Sequence, residues 1–403
     1  MLNKDNEREL AYVVSIDSIT PIDGADSIEL VHINGWTCIA KIGEFQPGDL
    51  AVYFEIDSKL PEDADWAAFL APKHFKVKTM KLGKFKVISQ GLALPASAFG
   101  WETVCKEGGE PISIGGHHKG DFLTKELGVT YSVVEDNARK ANSNPDAKIN
   151  AALARHPKIA KRWGKIIKRN KFLRALFIFL FGKKKDIRNW PVWVKKTDEE
   201  RIQNMPWILQ NKDPWVVTEK IDGTSTTFTM KRGKFGKYDF YVCSRNVVFD
   251  KPDKNCFYDT NVYLEMAEKY KIEDVLKELL VRNPAWDYVT LQGETYGASI
   301  QKREYGLKDH ALMAFNLIYG INGESTRFNP IEMTAILSEY FVPCVPIVDK
   351  NFILPDTVEE MLAYATNKSA VDGGMREGVV LRSLDGSQSF KAVSNEFLLK
   401  YHG

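Results

Sequence analysis

The sequence predicts an α+β protein of two domains, a strand-rich barrel followed by a larger domain of strands, turns and helices. Three observations carry this. Residues 11–57 hold short alternating or apolar runs, AYVVSIDSI, SIELVHING, WTCIAKIG and DLAVYFEI, divided by Gly, Asp and Pro. From Val134 to about Trp190 the pattern turns polar and then basic. Beyond it, the apolar run Trp215–Lys220 leads into a sharp turn at Asp222-Gly223, and further strand-like runs follow. At 403 residues, 44% hydrophobic and 27% charged, the chain is too long for one ordinary core and apolar enough to bury two.

In the first domain the turn signals Pro21-Ile22-Asp23-Gly24, Asn34-Gly35 and Pro47-Gly48-Asp49 fall where a small antiparallel barrel would reverse direction. More strands are expected near Phe75–Ile88 and Gly91–Leu94. The module resembles an OB-fold, whose face and loops often bind oligonucleotides. Lys76, Lys78, Lys81 and Lys84, with Lys73 and Lys86 and the rings of Phe75 and Phe85 between them, are candidates for strand contact. A strand edge protected by lysines would read the same way.

Ala141–Asp146 (ANSNPD) reads as a flexible joint, which divides the chain into 1–132, an insertion at 133–192, and 193–403. Net charge is only +2, yet residues 155–188 contain thirteen Lys or Arg and a single acid, Asp186. Within that segment Ile159, Trp163, Ile166 and Ile167 recur at helical spacing among Lys161, Arg162, Lys165, Lys168 and Arg169, which predicts a basic amphipathic helix. The run Ala175–Phe181 (ALFIFLF) is far too short to span a membrane. The segment could dock on its own domain, on nucleic acid or on a membrane surface. The first ten residues are charged and unlike a secretory signal, and the five cysteines are scattered, so a reducing, cytoplasmic setting is expected. No segment points to an obligate protein partner.

Thr197–Gln203 (TDEERIQ) offers an N-cap threonine followed by acids and predicts a helix start. In Trp215–Phe228 (WVVTEKIDGTSTTF), Lys220 ends an apolar strand and Gly223, lacking a Cβ, lets the backbone turn and a nucleotide approach. Lysine is a nucleophile only when neutral, so the site is expected to lower the pKa of Lys220 by desolvation or a neighbouring cation. Alone, Lys-x-Asp-Gly is also an ordinary hairpin turn. Downstream, however, a set of residues recurs in order at the ends or edges of strand-like runs: Ser244-Arg245-Asn246, Gly293-Glu294, Phe315, Glu377-Gly378 and Lys391.

This ordered set resembles the covalent nucleotidyltransferase superfamily of ligases and capping enzymes over about residues 195–403. The resemblance implies an ATP-grasp-like ligase domain with antiparallel sheets and flanking helices. It implies that Lys220 takes AMP on its side-chain nitrogen, within the nucleotide-binding run Glu219, Lys220, Ile221, Asp222 and Gly223. Glu219 would contact the adenine region, Arg245 the ribose or incoming phosphate, Glu294 the ribose, and Phe315 would stack on adenine. Glu377 would hold a divalent metal, Mg2+ or Mn2+, with Glu294 a second candidate, and Lys391 would neutralise the α-phosphate.

Within the superfamily the chain is most similar to RNA ligases of the phage T4 RNA ligase 2 type, in the branch with an N-terminal OB module. TDEERIQN, EKIDGTS and ISQGLALP carry that similarity. DNA ligases and capping enzymes generally place an OB domain after the last motif, whereas twelve residues follow Lys391 here. One departure stands out: related enzymes have Lys-x-Lys in the last motif, and this chain has Lys391-Ala392-Val393, leaving Lys400 as a substitute. The resemblance implies an ATP-dependent RNA ligase joining a 3′-hydroxyl to a 5′-phosphate in RNA or an RNA-containing duplex. A DNA ligase, a GTP-dependent guanylyltransferase and an inactive nucleic-acid-binding descendant are the alternatives.

Overall fold

Asn34-Gly35 closes the tightest hairpin of the barrel, with both residues at positive φ, 47° and 75°, as a two-residue antiparallel turn requires. It joins β3 (Ile28–Ile33) to β4 (Trp36–Lys41), and β2 (Ser18–Pro21) pairs on the far side of β3. A second sheet sets β5 (Leu50–Phe54) between β1 (Ala11–Ser15) and β8 (Leu92–Pro95). β6 (Met80–Leu82) and β7 (Val87–Ser89) form the lysine-bearing hairpin. Every residue of β5 is buried, because its two faces serve two apolar clusters, one around Val52 and Phe54 and one around Ala51 and Tyr53. The structure is a computed structural model describing residues 8–131, 157–170, 173–177, 190–196, 198–245, 247–249 and 261–401.

The C-terminal part holds two antiparallel sheets. One has the order β16 (Ile347–Phe352), β9 (Trp215–Lys220), β17 (Gly378–Ser383), β18 (Ser389–Val393). The other runs β12 (Val248–Phe249), β11 (Tyr238–Cys243), β10 (Thr224–Arg232), β13 (Tyr288–Gly297), β14 (His310–Ile321), β15 (Glu324–Arg327). The helices α2 (Val262–Lys269), α3 (Ile272–Arg282) and α4 (Pro330–Ser338) pack Met266, Leu276 and Met333 on the larger sheet. α5 (Val358–Ala365) covers the smaller one through Val358, Met361 and Ala365, and α6 (Asn395–Tyr401) follows β18. Only the turn Ile221-Asp222-Gly223 separates β9 from β10, so the chain passes there from one sheet to the other.

The helix expected at 197–203 is replaced by a short 3-10 turn, Ile202–Asn204. Thr197 lies outside the described residues, and Asp198 and Glu199 serve as ion-pair partners rather than at a helix N-terminus. Glu199 accepts from Arg327 of β15 (3.3 Å) and Arg382 of β17 (3.2 Å), bridging the two sheets, and Glu200 accepts from Asn204. ANSNPD lies outside the described residues as well.

Barrel and sheets belong to one structural unit, and residues 132–189 form another. Within the latter, α1 (Pro157–Arg169) is the expected basic helix; Trp163 and Ile166 are about half exposed while Ile167 is buried. Asn170 then caps a further helical turn at 173–177 by accepting from the Leu173 amide. No helix among the described residues is long and apolar enough to cross a membrane.

Candidate active site between the two sheets

Strand register assembles the site. Lys220, the last residue of β9, lies opposite Gly378, and its ammonium bonds both oxygens of Glu377 at 2.8 Å. β10 leaves the turn and pairs Ser225 with Glu294 of β13, which brings a second carboxylate to the same place. Asp222 is held behind them, its amide donating to Tyr305 Oη at 2.8 Å. The closest approach to Gly223 comes from the protein itself: a Cβ there would sit 2.3 Å from the Thr295 carbonyl oxygen and 2.9 Å from Glu294 Cγ. The missing side chain thus lets β13 come close to the turn.

The expectation of a lowered Lys220 pKa is corrected. Burial works to lower it, but the carboxylates of Glu377 and Glu294 outweigh burial and hold the ammonium above its usual value. Glu294 responds in the opposite sense, pushed up to about 8 by burial, against the pull of Lys220 and with the push of Glu377 and Asp222. Lys391, on β18 beside β17, is lowered to about 8 by burial and by the charges of Lys220 and Arg201.

Phe315 is placed by a β-bulge. The register between β13 and β14 slips between Gln292 and Gly293, so Phe315 faces no single partner across the ladder. It packs half-buried against Ile221, Tyr296, Tyr305 and Val345, an apolar wall beside the Lys220 turn. Glu219 is buried on the opposite face of β9 from Lys220, and its carboxylate accepts from Ser369 Oγ and from the Ala370 amide at 2.7 Å. Arg245 lies on the exposed rim, paired with Asp198 at 2.8 Å and near enough to Glu294 to favour its ionised form. Asn246 lies outside the described residues.

Arg201 is the residue that sequence reasoning passed over. Its backbone forms a parallel bridge with Lys391, whose amide donates to Glu200 O at 2.8 Å. Its Nη1 is buried without a hydrogen-bond partner. In TDEERIQN it reads as one more charge on a surface helix; only the strand register sets it beside Lys391. Val393 is buried in the core and Lys400 is exposed over the Tyr401 ring, while the cations whose charge is felt at Lys391 are Lys220 and Arg201. Of the barrel lysines, Lys78 and Lys84 are exposed, Lys84 over the Phe85 ring, while Lys76 and Lys81 are half-buried.

The carboxylates of Glu377 and Glu294 are oxygen donors of the kind a hard divalent cation takes, and a cation there would offset the crowding of negative charge that adds to burial in raising Glu294. Among the described residues no three acids, histidines or cysteines converge closely enough to cage a metal unaided. That fits a cation finished by water and phosphate oxygens.

The C-terminal part matches the RNA ligase family over residues 213–402, and residues 10–96 match an OB-fold domain. A mutant Naegleria gruberi RNA ligase solved with ATP and Mn is 30% identical, with 98% of this chain and 100% of that one covered at a TM-score of 0.64. This chain belongs to the RNA ligase family. The same Naegleria enzyme with PPi superposes at a TM-score of 0.62, again at 30% identity over 98% of this chain and 99% of that one. A mutant form with AMP and Mn gives 0.63 at the same identity, also over 98% and 99%. A comparison with curated proteins finds no match. The N-terminal OB-fold and the antiparallel α+β ligase domain expected from the sequence are both present.

Proposed function

We propose that this RNA ligase uses ATP to seal 3′-hydroxyl and 5′-phosphate ends in RNA or RNA-containing duplexes through a lysyl-AMP on Lys220. The observation that carries the reading is the convergence, at one strand end, of Lys220, Glu377 and Glu294 with the cations of Lys391 and Arg201 and the Phe315 wall. The Naegleria structures with ATP, AMP, PPi and Mn support it.

The apolar wall takes the adenine, with Phe315 stacking and Ile221 beneath. Glu219 shapes that end of the pocket by holding the loop at Ser369-Ala370, Glu294 binds the ribose, and Arg245 meets the incoming 5′-phosphate. Lys220 attacks the α-phosphorus and pyrophosphate leaves; Lys391 and Arg201 neutralise the negative charge that moves onto the leaving group. AMP passes to the RNA 5′-phosphate, and the 3′-hydroxyl then attacks that end and expels AMP. The ammonium must first lose its proton, so Glu377 must be drawn off it; burial and the Lys391 charge then favour the neutral amine. Magnesium or manganese, held by Glu377 with Glu294 as second ligand, would supply charge neutralisation on the phosphate oxygens.

Residues 1–132 would hold the RNA ends, in part through Lys76, Lys78, Lys81 and Lys84. Residues 193–403 would carry the nucleotidyl chemistry, and 133–192 would add a cationic arm. The thiols of Cys38, Cys105, Cys243 and Cys344 are free, which supports a cytoplasmic setting.

The test offers the protein magnesium with α-labelled ATP or GTP, then nicked RNA or nicked DNA. Label from ATP that is absent in Lys220→Ala and discharges into sealed RNA is the expected result. Label from GTP would make the chain a capping-type enzyme, equal sealing of all-DNA nicks a DNA ligase, and no label from either nucleotide a binding protein.

A further inference from the structure

The barrel reaches the nucleotide site through a tryptophan. Trp36 opens β4 directly after the Asn34-Gly35 turn, is 2% exposed, and lies against the Arg201 guanidinium with Cζ 5.6 Å from the ring centroid. The indole has little freedom. It stacks on Tyr53 at 6.5 Å and 23°, and Tyr53 Oη donates to the Gln90 carbonyl at 2.7 Å. On its other side the preceding turn is wedged into the catalytic domain: a Cβ on Gly35 would lie 2.5 Å from Val358 Cγ1, 3.2 Å from Leu362 and 3.3 Å from Gln203.

Arg201 is fixed along its backbone by the bridge to Lys391, yet its Nη1 is buried and unpartnered. A buried guanidinium nitrogen without an acceptor is costly unless a ligand supplies one. A guanidinium held over an aromatic ring is attracted by the ring's negative face, which restricts where its N–H groups lie while leaving them available to an acceptor.

We propose that Trp36 of the barrel is a positioning residue for lysine adenylylation, holding the Arg201 guanidinium so that its unpartnered Nη1 meets the phosphates of ATP beside Lys391. The proposal rests on the ATP-dependent reading above. It gives the barrel a part in a step that involves no RNA.

The test uses the full chain and two assays: labelling of the enzyme by α-labelled ATP across ATP concentrations, and sealing of a nick whose RNA 5′-end is already adenylylated. Trp36→Leu should slow labelling about tenfold, while Trp36→Phe keeps a ring and stays within about twofold of wild type. Sealing of the adenylylated nick should be unchanged in both. In an Arg201→Ala background Trp36→Leu should add no further loss, because its effect passes through Arg201. Should Trp36→Leu not fold, trifluorotryptophan at position 36 weakens the ring's negative face at nearly constant shape and should still slow labelling. Equal labelling of wild type with Trp36→Leu, or with the fluorinated protein, overturns the proposal. So does a loss that multiplies with that of Arg201→Ala. A wild type that takes no label from ATP removes the parent reading, and this proposal with it.

Discussion

Lys391 holds its proton weakly, because the fold buries the ammonium and sets Lys220 and Arg201 near it. A lysine lowered to about 8 in the native state keeps its charge below that pH and loses it above. Between about 8 and the ordinary lysine value of 10.5 the native chain binds fewer protons than the unfolded one, so this residue's contribution to stability rises with pH across that window. At pH 7 the charge is a burden on the fold. Lys391→Met should therefore raise stability by about 1–2 kcal/mol in urea titrations at pH 7, with no gain at pH 10.5, while lysine labelling by ATP is lost. Lys220, Glu294, Phe315, Glu377 and Lys391 were singled out by the order of their motifs along the sequence, and the fold brings them to one place. Arg201 was not, since nothing local separates it from its charged neighbours.

Elements carry the site through close backbone approach rather than loop plasticity. At Gly223 a methyl group would strike the Thr295 carbonyl at 2.3 Å, so β10 and β13 would have to part where Glu294 is displayed. Gly223→Ala should cost about 1–3 kcal/mol of stability and reduce labelling by ATP more than its melting point explains, a comparison made by calorimetry and labelling below the melting transition. The barrel hairpins and β9 were readable from turn residues and alternation. Two features were not: the bulge that frees Phe315, which arises from the register of two distant strands, and the fate of TDEERIQ. Its capping pattern is a sound helix signal, yet tertiary ion pairs claim Asp198 and Glu199.

At the scale of the whole molecule one carboxylate joins the two catalytic sheets. Arg382 is 2% exposed, and burial lowers its guanidinium to about 10 despite Glu199. Glu199→Ala would leave that cation buried without its carboxylate partner, a loss of about 3 kcal/mol expected from equilibrium unfolding. Charge is organised on the same scale: the chain is nearly neutral, yet thirteen cations gather in residues 155–188. If that arm grips phosphate, removing residues 141–188 should weaken RNA binding and flatten the dependence of log affinity on log salt, while labelling by ATP is retained. Unchanged affinity and slope would exclude the arm from RNA binding. Composition revealed the arm, whereas the joining of the sheets through Glu199 depends on residues 128 and 183 positions away.

The pairing of Lys220 with Glu377 bears on which reagents can reach the amine. An ammonium clasped by both oxygens of a buried acid has no lone pair to offer acyl phosphates, aldehydes or cyanate, which modify exposed neutral amines. On the proposed mechanism its reactivity belongs to the assembled complex with substrate and not to the resting protein. Amine-directed covalent probes should accordingly pass over this lysine in the free enzyme, and an inhibitor that captures it would need to carry a nucleotide's shape.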